Sequence, residues 1–150
     1  MKELILFYSY TGDTKKIAEK FGTENMDKEK ENKFDICEII DEKRPGKLSA
    51  FTAGIIKSIK GGGRKIKPLV ITANKNAVRF EDYDVINVFS PVWAGHTAPP
   101  VNSALKMIPK GAKIKLYLVS QSGQSEKDSL SKRISGLGLE ITAYEDIKSK

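Results

Sequence analysis

Three short segments of the chain hold residue types suited to binding a ligand. The first is Ser9-Tyr10-Thr11-Gly12-Asp13-Thr14, which sets hydroxyls and a glycine just ahead of a stretch with helical periodicity. The backbone N–H groups of a first helical turn have no partner inside the helix, and the helix dipole favours negative charge there. Gly12 lets the backbone come close to a bound group. The segment has no Lys or Arg, so hydroxyls and amides are what remain to hold a small phosphate. Its spacing is neither Gly-x-x-x-x-Gly-Lys-Ser/Thr nor Gly-x-Gly-x-x-Gly, which excludes the usual triphosphate and dinucleotide loops. A plain N-cap cluster accounts for the same residues. The second segment is Ser90-Pro91-Val92-Trp93-Ala94-Gly95-His96, with the only Trp and the only His of the chain. A rigid turn carrying one Trp among small residues suits stacking on a flat ring, with core packing as the alternative. A single His is poor evidence for catalysis or a metal, and His96 is expected to face solvent. The third segment, Ser120-Gln121-Ser122-Gly123-Gln124, offers amides and hydroxyls to a polar ring edge.

The elements that position these segments are read from periodicity. Leu4 to Tyr8 is a continuous apolar run and reads as a buried central strand. Thr14 to Phe21 has helical spacing, with Ile17, Ala18 and Phe21 on one face. Phe34 to Ile40 is a second strand. It contains Cys37, the single cysteine, so no intrachain disulfide can form, and a buried position suits it. Arg44-Pro45-Gly46 breaks the chain, and Leu48, Phe51, Ile55 and Ile59 form a helical stripe ended by Gly61-Gly62-Gly63. Residues 64–82 read as a loop-rich connection with a short extended piece at Leu69 to Thr72. Tyr83 to Phe89 is a third strand, closed by Ser90-Pro91. A helix follows Pro99-Pro100 and carries Val101, Ala104, Leu105 and Ile108. Ile114 to Val119 is a fourth strand, Glu126 to Ile134 a further helix, and Leu139 to Thr142 a short fifth strand. Strands alternating with helices mean parallel βαβ units in a doubly wound α/β sheet, whose ligands lie at the carboxyl ends of the strands. All three ligand-like segments fall on that edge.

With 150 residues the chain is one domain, 1–150, by the length prior. No apolar run reaches the roughly 20 residues that span a bilayer, and Leu4 to Tyr8 is too short for a signal-peptide core. A cytoplasmic protein with no membrane contact is expected. Lys plus Arg number 26 against 19 Asp plus Glu, a net charge of +7. Twenty-two of the 26 are Lys, and sequence-reading nucleic-acid binders lean on Arg, so no nucleic-acid partner is expected. The Lys excess is either an ordinary solvated surface or a means of steering toward an acidic partner.

Taken in order, Ser-x-Thr-Gly-x-Thr after the first strand, Pro-Val-Trp-Ala-Gly after the third and the Ser/Gly loop after the fourth resemble the flavodoxin-like FMN-binding family. Phe51-x-x-Gly54, Ile66-Lys67-Pro68 and Tyr83-Asp84 fall where that family has similar words. The resemblance covers residues 2 to about 142 and implies a five-stranded parallel sheet of order 2-1-3-4-5. It implies that the Ser9–Thr14 loop (Ser9, Tyr10, Thr11, Gly12, Asp13, Thr14) holds the FMN phosphate, Asp13 through its N–H. It further implies that Pro91, Val92, Trp93, Ala94 and Gly95 line one side of the isoalloxazine, and that Ser120, Ser122 and Gly123 meet its other edge. No catalytic side chain and no metal follow, because the flavin carries the redox chemistry.

The chain departs from the family in two ways. Asp13 stands where Asn is frequent, placing a carboxylate near the phosphate. Only Ala143 to Lys150 follow the fifth strand, a polar tail too short for the usual final helix. The sheet face that helix would cover then carries polar residues: Asn87, Lys113 with Lys115, and Glu140 with Thr142. Apolar neighbours on the same face, Val85, Phe89, Tyr117 and Val119, would still want cover, which a homodimer would supply.

Three functions are compatible with this reading. One is an electron-transfer protein cycling FMN between redox partners. Another is an FMN-dependent NAD(P)H:quinone-type reductase acting on a small acceptor. The third is a binding module of the same fold without redox turnover. Family members usually run acidic, so a charge of +7 points to an acidic partner or acceptor. Electron-transfer rates with an acidic acceptor are then expected to fall with added salt, since exposed charges are screened beyond about 8 Å at physiological ionic strength. Stopped-flow mixing across a salt series measures this, and a flat profile would leave the charge as a solvated surface only.

Overall fold

The apolar run at the start of the chain is strand β1 (Lys2–Phe7), with Leu4, Ile5 and Leu6 wholly buried. The computed structural model describes residues 1–28, 32–43 and 58–149. The stripe of Leu48, Phe51 and Ile55 and the Phe51-x-x-Gly54 word lie outside these. β1 is central because both its neighbours are parallel: β2 (Lys33–Glu38) on one side and β3 (Val85–Trp93) on the other. A two-residue strand, β4 (His96–Thr97), turns back on the end of β3. β5 (Lys113–Ser120) pairs parallel with β3, and β6 (Glu140–Lys148) with β5. The order is β2-β1-β3-β5-β6, with β4 off the path, so the five main strands run 2-1-3-4-5 as expected.

Successive strand residues point to opposite faces. On one face Leu4, Leu6, Ile86, Val88, Leu116 and Leu118 meet two helices, α2 (Pro99–Met107) and α3 (Lys127–Ser135). α2 contributes Val101, Ala104 and Leu105, and α3 contributes Leu130 and Ile134. On the other face Ile5, Phe7, Phe89 and Tyr117 meet Ala18 of α1 (Asp13–Lys28), with Ile17 and Phe21 packed beside them. Gly22 brings α1 close, since a Cβ there would sit 3.0 Å from Ile5 Cδ1. Helices on both faces make the sheet doubly wound.

Several local expectations need correction. β3 does not close at Ser90-Pro91. It runs through both, pairing Ser90 with Leu118 and Pro91 with Val119, and continues to Trp93. Proline is tolerated there because it lies near the end of the strand, where a missing N–H interrupts the ladder least. The fifth strand is not the short piece 139–142: it continues to Lys148, so the supposed tail is strand. β6 is an edge strand, and edge strands carry charged residues such as Glu145 and Lys148 that obscure an apolar pattern. A bulge between Ile114 and Lys115 of β5 leaves Thr142 out of the pairing, its hydroxyl donating to the Ile114 carbonyl at 3.2 Å. Ala143, Glu145 and Ile147, rather than Thr142, therefore pair with Lys115, Tyr117 and Val119. Residues 64–82 are loop-rich as expected, with single bridges Asp41–Ile66 and Val70–Ala77 and a 3-10 turn at Phe80–Asp82.

Among the described residues only Ser149 follows β6, and no fifth helix covers the α1 face of β5 and β6. A groove of about 730 Å³ lies there, floored by Phe21, Phe89, Tyr117 and Ile147 and edged by Lys16, Lys20 and Glu145. Asn87 is not on its solvated surface. It is fully buried, its amide donating to Glu3 Oε1 at 3.2 Å and to the Leu4 carbonyl at 3.3 Å. Val85, Phe89, Tyr117 and Val119 are likewise buried within the single chain. No helix among the described residues is long and apolar enough to cross a membrane.

Burial pushes the Cys37 thiol up from 9.0 to about 11. It also pushes the Tyr117 hydroxyl up from 10.0 to about 12, with the Glu145 and Glu3 carboxylates adding to the rise. A proton held more tightly in the folded state contributes stability that is complete below the unfolded value and lost as pH rises through the folded one. The urea midpoint is thus expected to hold steady up to pH 9.0 and to fall between there and about 12. Cys37→Ala should move the onset of that fall from 9.0 to 10.0 and leave the part that Tyr117 contributes.

Candidate functional site

The winding of the sheet reverses between β1 and β3, since β2 lies outward on one side while β5 and β6 follow on the other. Crevices form beyond the carboxyl ends of the strands at such a point. Here the crevice is a cleft of about 540 Å³ between the β1–α1 loop, the end of β3 and the end of β5. That volume lies within the range of small-molecule sites.

Of the residues singled out in the first loop, Thr11, Asp13 and Thr14 line the cleft. Ser9 and Gly12 shape the loop from behind: the Gly12 N–H donates to Ser9 Oγ at 3.0 Å, and Gly12 has φ 103°, where a side chain would be strained. Lys16 N–H closes the first helical bond on the Gly12 carbonyl at 3.1 Å, so the amides of Asp13, Thr14 and Lys15 precede any acceptor within α1. Tyr10 points elsewhere, against Trp93.

The second wall is a β-hairpin, which the sequence reading missed. Val92 pairs with Thr97 and Trp93 with His96 in antiparallel sense, leaving Ala94-Gly95 as a two-residue turn. Both turn residues have positive φ, 51° and 80°, the requirement of a type I′ turn. Pro91, Val92, Ala94 and Gly95 line the cleft. Trp93 does not. It stands edge-on to Tyr10 with ring centroids 5.8 Å apart and to Tyr8 at 6.4 Å. His96 is 6% exposed rather than solvent-facing. Its Nδ1 lies 2.9 Å from the Ala94 carbonyl and its Nε2 3.3 Å from Ser129 Oγ of α3.

At the third wall Ser120 and Ser122 line the cleft, while Gly123 holds the turn with φ 71° and donates its N–H to Ser120 Oγ at 3.0 Å. The cleft also takes in Val119, Gln121, Gln124 and Ser149. Ser149 arrives because the Ser149 N–H donates to the Ser120 carbonyl at 2.7 Å, extending the β6 ladder. Only a reading of the tail as strand would have found it. Asp13 is the single titratable residue lining the cleft among the described residues, and no Lys or Arg does. The site therefore offers neutral donors at a helix start, a hairpin wall and a hydroxyl-rich loop.

No protein-family model matches the sequence, and no curated protein does. Solved structures do match. A flavoprotein of Lactobacillus acidophilus NCFM, solved in complex with FMN, is 24% identical over 95% of this chain and 91% of its own, with a TM-score of 0.70. A protein of Bacteroides eggerthii DSM 20697 is 17% identical over 96% of this chain and 86% of its own, with a TM-score of 0.69. Oxidised flavodoxin 1 of Bacillus cereus is 16% identical over 100% of this chain and 87% of its own, with a TM-score of 0.52. At these identities the likeness establishes the fold, which is flavodoxin-like.

The hairpin turn can be tested by itself. An alanine at φ 51° is strained, whereas glycine is not. Ala94→Gly is expected to stabilise by about 0.5–1 kcal/mol after the entropy of glycine is counted. Gly95→Ala should destabilise, since its φ is 80° and its Cβ would fall 2.5 Å from Glu126 Cγ. Calorimetric thermal midpoints of the two variants should move in opposite directions.

Proposed function

We propose that the cleft binds FMN and that the chain carries electrons between redox partners. The observation that carries this reading is the convergence, at one strand edge, of an anion-friendly helix start, a hairpin wall of small and apolar residues and a hydroxyl-rich loop. The similar fold solved with FMN supports it. Thr11, Thr14 and the first amides of α1 would hold the phosphate, the donors pre-aimed and the dipole favourable. The backbone at Pro91, Val92, Ala94 and Gly95 would line one side of the ring system. Ser120, Ser122 and Ser149 would offer hydroxyls to the other. When bound, FMN supplies one- and two-electron redox chemistry.

Asp13 bears on affinity. Its carboxylate lines the same cleft and would repel a phosphate dianion, an unfavourable interaction that the loop's hydroxyls and amides must outweigh. Oxidation of NADPH by the isolated protein with a quinone acceptor would favour the reductase reading instead. Absence of flavin uptake would favour a binding module without redox turnover. The partner is proposed to be acidic, in keeping with the charge of +7.

The test is a fluorescence titration of FMN against the cofactor-free protein. Wild-type protein should quench the flavin and turn yellow. Thr14→Ala should weaken binding by about 1.5–3 kcal/mol, the usual worth of a hydrogen bond to a charged group. Riboflavin, which lacks the phosphate, should bind both proteins with equal and lower affinity. Equal FMN affinity in wild type and variant would remove the phosphate from this loop.

A further inference from the structure

We propose that His96 is a positioning residue that clamps the Ala94–Gly95 turn in the shape the flavin site requires. The proposal rests on the FMN reading. The turn forms part of the cleft wall, and Ala94 sits in a backbone conformation that alanine seldom adopts. Such conformations persist only where surrounding contacts hold them.

Those contacts come from behind the wall. A carbonyl can only accept, so the ring nitrogen 2.9 Å from the Ala94 oxygen carries the proton. Nδ1–H then donates to Ala94, and in the neutral ring Nε2 is left to accept from the Ser129 hydroxyl at 3.3 Å. The ring thus bridges the turn to α3. The Gly95 carbonyl is held as well, accepting from the Glu126 N–H at 2.8 Å. The two peptide oxygens of the turn are therefore tied to, or just ahead of, the first turn of α3. The Ala94–Gly95 peptide is planar, so fixing its carbonyl fixes the orientation of the whole unit at the cleft. Replacing the ring with an apolar group would take its donor from the Ala94 oxygen and free the peptide to rotate.

Three variants separate clamping from simple space-filling. In His96→Asn the side-chain amide nitrogen sits near the place of Nδ1 and can still donate to Ala94. In His96→Gln the amide reaches toward Ser129 instead. His96→Leu does neither. FMN affinity, measured by flavin-fluorescence quenching, should fall about tenfold in His96→Leu and His96→Gln, the equivalent of one lost hydrogen bond. His96→Asn should recover most of that loss. In the cofactor-free proteins, amide hydrogen exchange at Trp93, the residue paired with position 96 across the hairpin, should quicken in His96→Leu and stay near wild type in His96→Asn. Equal affinity in all three variants, or equal weakening in Asn and Gln, would overturn the clamp. If wild-type protein takes up no FMN, the cofactor reading fails, and the exchange pattern still decides whether His96 holds the turn. Thermal midpoints identify a variant that fails to fold, and the Asn variant then carries the comparison.

Discussion

The attachment of the β3–β4 hairpin to the helices beneath it is the constraint on which the cleft depends. Arg133 of α3 donates from Nη2 to Thr97 Oγ1 at 2.6 Å and to Asn102 Oδ1 at 3.2 Å, and from Nη1 to the Ser58 carbonyl at 3.3 Å. Asn102, in the first turn of α2, donates in turn to the Gly62 carbonyl at 3.0 Å. Ser90 Oγ accepts the Ala98 N–H at 3.1 Å where the chain leaves the hairpin. One half-buried guanidinium thus joins the hairpin, α2 and the segment entering at residue 58. Buried polar groups of this kind stabilise only when their partners are complete, so removing one costs more than the bond itself is worth.

The other side of the sheet is organised on a different principle. α1 covers β1 and β3 through Ala18, Ile17 and Phe21, and there the strand residues are apolar apart from the buried Glu3–Asn87 pair. Past β3 the helix reaches only Tyr117 of β5, through Phe21, and a groove opens beyond it. Glu145 and Lys148 on β6 and Lys16 and Lys20 on α1 edge the groove, while Phe89 and Tyr117 stack at 4.4 Å and 11° beneath. Phe21 closes against both rings, at 5.3 and 5.2 Å. The aromatic stack lets a half-covered face stay dry at its floor, and the long charged side chains at its margin keep their heads in water. The same charges blunt β6 as an edge strand.

The cleft itself is close to neutral, with one carboxylate and no cation in its described lining. Any anion held there must rely on oriented N–H groups and hydroxyls, which act at short range and specify geometry. The net positive charge of the chain acts at longer range and bears on encounter rather than on the bound state.

Much of this was written in the chain order. The apolar run of β1, the helical spacing after Gly12 and the alternation of strands with helices fix a parallel α/β sheet, because burial on two faces demands continuous apolar strands and crossover helices. Once that sheet exists, three ligand-like segments must lie on one edge, and they do. Local pattern could not decide how each side chain is used. Trp93 packs edge-on against Tyr10 and Tyr8, from the end of the first strand, rather than on the cleft. His96 is buried because a two-residue turn folds it back against α3. Ser149 reaches the cleft because β6, nine residues that look polar in isolation, pairs with β5 through all of them but Thr142. Each of these depends on hydrogen-bonded pairing between segments far apart in the chain, and such pairing leaves little trace in the periodicity of either segment.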